Sequence, residues 1–451
     1  MKELTLKDVP SLCFDGYLPS VIATCSADGT PNATWVTQVY LVDATHVAVA
    51  DQFFKKTRAN LDAQPRAQAH LIEPLSGGQW RFDLRFVGSE TSGPTFETMK
   101  MRIEALASTV NLGHDYPLRS ADVFEVLAIR PVAVEPPALP PPERPAPDAI
   151  AGLARLSDRV AACTDARSAV DTGLHFLVEE LGYTHATLYL FEESGGALYT
   201  LASVGFAQSG VGARIELGVG VVGACARHRK PIRIGDTPRE QVFGRALKEQ
   251  LARVTEEQDR EILLPGLEGM ASLLAVPLVL RGKLFGVLTT ESERRFAFEQ
   301  RDERVLATAG HLIAQAIALY PEDDGEREAP ASESPRRDRA GTLRVRYYAA
   351  DDSVFVGNEY LIKGLPGRIL WLLCKLHETE GRVTFLNREL RIHPFLRLPP
   401  QKDNLETRLL LLQRRLDDKG LALRINREQR GRLRFVCDVH LQLEAVGGDL
   451  P

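Results

Sequence analysis

The chain has 451 residues, enough for about three domains of ordinary size, and its 44% apolar and 25% charged residues exclude a disordered or fibrous protein. No run approaches the roughly 18 consecutive apolar residues of a membrane helix, which excludes a helical membrane protein. The net charge of −5 hides an asymmetry: residues 1–148 carry 13 basic and 18 acidic side chains, residues 149–340 carry 23 and 28, and residues 341–440 carry 19 and 12. Only the last stretch, at +7, has the sign suited to nucleic acid. The N-terminus, MKELTLKDVPSLCF, lacks the apolar core of a signal peptide, and the six cysteines show no C-x-x-C or zinc-like spacing. A reduced, cytoplasmic chain without structural metal is the expectation.

Two linkers divide the sequence. EPPALPPPERPAPDA (135–149) is proline-rich, and PEDDGEREAPASESPRRDRAG (321–341) is charged and nearly free of apolar residues, so neither can build a core. Domains are therefore expected at 1–134, 150–320 and 342–445. The overall class is multidomain α+β.

In the first segment, LPSVIATCS, NATWVTQVYLVD, HVAVAD, AQAHLIE and QWRFDLRFVGSETSG read as strands, with a short helix in QFFKKTRANLDAQP and another in PTFETMKMRIEALASTV. Many short strands with two helices predict a small barrel. Lys55, Lys56 and Thr57 fall where a strand gives way to a helix, whose free N–H groups and positive dipole end suit an anion. The order ATCSADGTPNATWV, VAVADQFFKKTRANL, FVGSETSGPTFETM resembles the pyridoxamine 5′-phosphate oxidase-like, FMN-binding split barrel over residues 8–134. The resemblance implies FMN at a homodimer interface, its phosphate on Lys55, Lys56 and Thr57 with Asn60 one turn on. Thr34, Val36, Thr37 and Gln38 would line the flavin through side chain or backbone. The arginine- and histidine-containing segment of the vitamin oxidases is missing from SADVFEVLAIRPVAVEP, so a flavin reductase or a non-catalytic flavin sensor fits better. His70, Trp80 and His114 are given no site role, since lone His and Trp residues in β-rich regions are more often packing or hydrogen-bonding residues.

The second segment opens with helical periodicity in AIAGLARLSDRVAACTDARSAVDTGLHFLVEELG, followed by the strand HATLYLFEESGGALYTLASVG. Gly218, Gly220 and Gly223 form G-x-G-x-x-G, but no β-α-β unit surrounds them, so a dinucleotide site is not implied. The series LGVGVVGACARHRKPIRIGD, ASLLAVPLVLRGKLFGVLTTES and FAFEQRDERVLATAGHLIAQAIA resembles a GAF domain along its whole length. That implies a central antiparallel sheet with helices on one side and a small-ligand pocket on the other, under a helical cover at 237–270. Tyr189, Phe191, Phe206, Arg214, Asp236 and Phe243 are the pocket candidates. Phe298, Asp302 and Glu303 match half of a cyclic-nucleotide pattern whose Asn-Lys half is missing, and Cys225 reads as a small buried residue rather than a bilin attachment point.

The third segment begins with strands in LRVRYYAADDSVFVGNEYLIKG. A helix follows, started by Pro366, faced by Ile369, Leu370, Leu372, Leu373 and Leu376, and ended by Gly381. Then come FLNREL, the run NLETRLLLLQRRLDDKG, and a hairpin around REQRGR. This order resembles a response-regulator-type winged helix over 343–438. The resemblance implies a DNA-reading helix in the leucine run and a wing in the hairpin. Leu405, Leu409, Leu412 and Leu416 form an ordinary core stripe, which leaves Leu410 and Leu411 near the DNA-facing side. Arg408, Arg414, Arg415, Arg427, Arg430, Arg432 and Arg434 are the phosphate candidates. A protein-binding winged helix remains the other reading of this segment. For the whole chain the expectation is a homodimeric flavin- and ligand-responsive transcriptional regulator. A flavin-dependent oxidoreductase with regulatory C-terminal domains and a non-catalytic scaffold stand as alternatives.

Overall fold

The computed structural model describes residues 4–109, 118–132, 148–192, 196–236, 264–319, 341–398, 405–429 and 431–447. The first unit is one curled antiparallel sheet of β1 (Ser20–Cys25), β2 (Pro31–Val36), β3 (Val39–Leu41), β4 (His46–Asp51), β5 (Arg66–Ile72), β6 (Gln79–Glu90) and β7 (Ser120–Val132), in the order β2-β1-β5-β6-β7-β4-β3. Strands consecutive in sequence, β2 and β3, thus lie on opposite edges, as in a half-barrel. Alternation decides which face is inside: Ala67, Ala69 and Leu71 of β5 point into a core with Ile22, Val47, Val49, Phe82 and Phe124. Helix α1 (Lys56–Ala63) follows β4 directly, and α2 (Pro94–Thr109) covers the outside.

The second unit is a six-stranded antiparallel sheet, β10-β9-β8-β13-β12-β11, built from β8 (His185–Glu192), β9 (Ala197–Val204), β10 (Arg214–Glu216), β11 (Ile232–Ile234), β12 (Ser272–Leu280) and β13 (Lys283–Ser292). The central strands are buried on both faces, which is why SLLAVPLVL is apolar without alternation. One face packs on α3 (Ala149–Ala161), α4 (Ala166–Glu179) and α6 (Gln300–Leu319), and the other on α5 (Gly220–His228). Helix α2 of the first unit lies along α5, where His228 meets Glu104 at 3.0 Å. Beside it Arg233, 5% exposed, bridges Asp15 of the first unit (2.7 Å) and Glu303 of α6 (3.2 Å).

The third unit starts with β14 (Thr342–Tyr348), β15 (Ser353–Val356) and β16 (Glu359–Ile362), and continues through α7 (Leu365–Glu380), β17 (Thr384–Leu386), α8 (Asn387–Ile392) and α9 (Leu405–Asp418). The hairpin β18 (Leu423–Gln429) and β19 (Arg432–Cys437) pairs with β17. Gly381 ends α7 at φ +70°, its N–H returning to the His377 carbonyl, as its position after the apolar stripe predicts. The sequence reading assigns no strand after the hairpin. The chain adds one, β20 (His440–Val446), which runs parallel to β14 and closes the unit around its own start. The apolar cores of the second and third units form one continuous cluster. No described helix is long and apolar enough to cross a membrane.

Candidate functional site

In the first unit the predicted phosphate residues gather at the start of α1. Lys55 occupies the N-cap position without a side-chain cap, and Lys56 is exposed beside it. Thr57 is buried, its hydroxyl accepting from Asn32 Nδ2 at 3.0 Å. Asn60 does not belong with them. Its side chain turns inward and donates to Thr24 Oγ1 at 3.0 Å, so it cannot reach a phosphate at the helix start. Helical spacing is the signal: Thr57, Asn60 and Leu61, at i, i+3 and i+4, form the buried face of α1.

Of the predicted flavin-lining residues, Val36 is 3% exposed and packed in the core, so only its backbone is available. Thr34 is half-buried on edge strand β2, and Thr37 donates to Gln52 Oε1 at 2.9 Å. Gln38 is 4% exposed, and neither amide atom has a hydrogen-bond partner among the described residues. Such a group is costly to bury unless something pairs with it. Trp35 and Phe53, 70% and 63% exposed, flank this surface. The strongest polar cluster nearby was not foreseen: Arg58 donates to buried Asp122 (2.6 Å) and Asp51 (3.0 Å), while Ser89 Oγ donates to Asp122 (2.7 Å).

The six pocket candidates of the second unit do not converge. Phe206 packs against the His185 ring, 5.0 Å between centroids, at one end of β8. Phe191 sits at the other end, its carbonyl turned to the third unit. Arg214, on edge strand β10, pairs with Glu216 at 2.8 Å, and Asp236 is buried against Arg295 at 3.3 Å. Phe243, and 237–263 of the expected cover, lie outside the described residues, while 264–270 form no helix. Tyr189 alone lies centrally, buried on the α5 face beside Thr187 and Thr289. Glu291 shares that face, 6% exposed, with Oε2 accepting the Leu267 N–H at 3.0 Å.

The largest departure from expectation concerns α9. Leu409, Leu410, Leu411 and Leu412 are all buried, so Leu410 and Leu411 are not the exposed pair that the resemblance places toward DNA. Leu410 is covered by the β18–β19 hairpin, in a hollow lined by Ile425 and Leu433. Leu411 falls on the helix face that carries Arg408, Arg414 and Asp418, and that face lies against the second unit. Arg408 donates to the Phe191 carbonyl (2.9 Å), Arg414 to Asp171 of α4 (2.7 Å), and Asp418 accepts from Ser209 (2.5 Å). Arg167 reaches Asp417 at 2.9 Å. Arg415 is also buried, donating to the Leu361 carbonyl and paired with Asp418. Arg427 pairs with Glu406, and Arg432 and Arg434 with Glu428. Arg430 lies outside the described residues. In this arrangement Arg408, Arg414 and Arg415 are not open to phosphate as the sequence reading expected, because protein carbonyls and carboxylates hold them.

A family profile described as "Pyridoxamine 5′-phosphate oxidase" matches residues 18–131, and one described as "GAF domain" matches residues 163–318. The chain carries a pyridoxamine 5′-phosphate oxidase-like barrel followed by a GAF domain. Neither profile reaches the third unit, and no curated protein matches the chain. Among solved structures, an FMN-binding protein from Syntrophomonas wolfei is 19% identical, with 29% of this chain and 87% of that one covered and a TM-score of 0.25. The GAF domain of the Acinetobacter phosphoenolpyruvate-protein phosphotransferase is 20% identical, with 38% and 92% covered and a TM-score of 0.31. Free methionine-R-sulfoxide reductase from Neisseria meningitidis is 20% identical, with 38% and 88% covered and a TM-score of 0.29.

Within the GAF domain the residues that sequence reasoning missed are Thr187, Thr289 and Glu291. Thr187 stands between apolar neighbours, Thr289 and Glu291 stand in the polar end TTES of β13, and only pairing of β8 with β13 shows that Thr187 opposes Thr289. Burial raises the Glu291 carboxyl above its ordinary value, partly offset by the Leu267 N–H. A carboxyl raised on folding costs stability once pH rises through its folded pKa and costs nothing below its unfolded one. Glu291→Gln keeps an acceptor for Leu267 and is expected to raise the melting temperature at pH 8. That advantage should close toward pH 4. Melting both proteins across pH checks this, and a difference independent of pH would contradict it.

Proposed function

We propose that this chain is a flavin- and ligand-responsive regulator in which the GAF domain holds the output helix of a winged-helix unit face-down. The observation that carries the reading is α9. The face bearing Arg408, Leu411, Arg414 and Asp418, which a DNA-reading helix would present to the major groove, is packed on α4 and the strand ends of the GAF sheet. In this arrangement the third unit is silent. Signals from the barrel and GAF domain release it, and DNA is the partner we favour, given the basic surplus of residues 341–440. Full-length protein should then bind genomic DNA fragments weakly and with a steep loss as salt rises. Binding insensitive to salt would count against DNA as the output. The second reading, a winged helix that serves as a protein-docking module, rests on the same face being occupied by protein here.

FMN is the cofactor proposed for the barrel. The residues fit it in part: an uncapped helix start with exposed Lys55 and Lys56 for the phosphate, Thr57 being turned to the buried face with Asn60, and the buried Gln38 amide, unpartnered among the described residues, for the ring. Bound there, FMN would supply one- or two-electron redox chemistry. Trp35 and Phe53 leave an apolar surface beside the site, which a second copy would cover in the proposed homodimer. Lys55→Glu/Lys56→Glu removes two exposed cations and should weaken FMN binding roughly tenfold, about 1.4 kcal/mol. Quenching of flavin fluorescence measures this, and unchanged affinity would sink the phosphate assignment.

A further inference from the structure

The seam between the barrel and the GAF domain holds a hollow of about 220 Å³. The barrel side of its wall comes from the Ser11–Phe14 turn, β3 and α2, and the GAF side from the chain entering β11 and the start of α6. Phe14, Leu41, Met101 and Pro231 give it apolar surface. Charges of both signs stand in the same wall: Asp15 and Arg102 from the barrel, and Lys230, Arg233 and Glu303 from the GAF domain. Arg233 is the centre of the group, held between Asp15 and Glu303. Arg102 lies 3.7 Å from Asp15, with its guanidinium over the Tyr40 ring. The two central charges are not fully used: Arg233 Nη1 and Asp15 Oδ2 are buried with no hydrogen-bond partner among the described residues.

An unpaired buried donor and an unpaired buried acceptor each cost free energy, and a guest that brings a group for each removes that cost. Fixed charges of both signs in one wall suit a zwitterion better than an ion of a single sign. Size narrows the choice: at about 30 Å³ per water the hollow holds roughly seven waters, which fits a guest of roughly seven to ten heavy atoms. The seam around it is tight. Tyr17 of the barrel meets Phe296 edge-on at 5.2 Å, and a Cβ on Gly235 would come within 2.7 Å of the Tyr17 ring. The hollow is distinct from the α5 face where Tyr189 and Glu291 sit, because Arg233 points to the other side of β11 from Ile232 and Ile234, toward α6.

We infer that this hollow binds a free α-amino acid with an apolar side chain of about leucine's size. The ammonium would sit by Asp15 and Glu303, the carboxylate by Arg102, Lys230 and Arg233, and the side chain against Leu41 and Met101. Because the wall belongs to two domains, occupancy stabilises their docked arrangement. The site stands whether or not the barrel holds FMN and whether or not the third unit acts on DNA.

Titration calorimetry of full-length protein with L-leucine tests this. Two analogues serve as controls: 4-methylpentanoate lacks the ammonium, and 3-methylbutylamine lacks the carboxylate. Saturable one-to-one binding of leucine is expected, at least tenfold tighter than either analogue. Lys230→Glu alters an exposed cation at the rim and should weaken leucine at least fivefold while leaving the melting temperature unchanged. Glu303→Gln keeps an acceptor for Arg233 and removes one acid, so it should weaken leucine at least fivefold and 4-methylpentanoate not at all. No saturable binding of leucine, equal affinity for either analogue, or full affinity in either variant would each overturn the assignment.

Discussion

Full-length protein carrying Asp171→Arg and Ser209→Glu is expected to bind DNA about 30-fold more tightly than the unaltered chain. Both changes lie on the GAF side of the seam, so α9 keeps every residue it would need for an output. Asp171→Arg sets a cation opposite Arg414, and Ser209→Glu sets a carboxylate opposite Asp418. The lost contacts are partly exposed and modest, with Asp171 44% exposed. Each reversal adds repulsion to the lost attraction, so the pair should cost the closed state about 2 kcal/mol. If closure is what hides the helix, that energy reappears as affinity. Gel-shift titration at fixed salt measures it. Equal affinity in both proteins would mean that the seam does not control DNA binding.

Replacing Arg58 with methionine should destabilise the barrel by about 3–5 kcal/mol, more than any other single change considered. Asp122 is fully buried and Asp51 is 5% exposed, and Arg58 is the cation that donates to both. Methionine keeps most of the side-chain volume but leaves two carboxylates in the core facing only hydroxyls and backbone. Denaturant unfolding followed by tryptophan emission reports on the barrel through Trp35 and Trp80, and a loss under 1 kcal/mol would show that Ser89 and Ser120 suffice to hold Asp122. The reason to separate this prediction from cofactor binding is geometric: Arg58 adjoins the proposed phosphate residues but points into the sheet.

What was legible in the sequence was local. The i, i+4, i+7 stripe of Leu405, Leu409 and Leu412 predicted one buried face of α9, Gly381 the end of α7, and the turn at REQRGR the β18–β19 hairpin. What was not legible was pairing across long separations. The partner of Arg408 lies 217 residues away and that of Ser209 lies 209 away, and periodicity names a face without naming its neighbour. Leu411 shows the difference: on helical spacing it belongs to a polar-looking face, and it is buried because another domain covers that face. The dispersed GAF candidates failed for the same reason, since Phe191 and Phe206 are close in sequence but lie at opposite ends of a strand hairpin. Asn60, by contrast, was readable, because its spacing from Thr57 and Leu61 already marks the inward side of α1.

The central claim is that α9 rests against the GAF domain until a signal releases it. A distance measured by pulsed electron spin resonance tests this most directly, with labels at exposed Ile150 on α3 and exposed Ile392 on α8, and with the partly exposed Cys25 and Cys163 replaced by serine. The account predicts one narrow distance distribution in the otherwise unaltered chain and a broad one in Asp171→Arg/Ser209→Glu. A broad distribution in both, or an unchanged narrow one in the double variant, would contradict it.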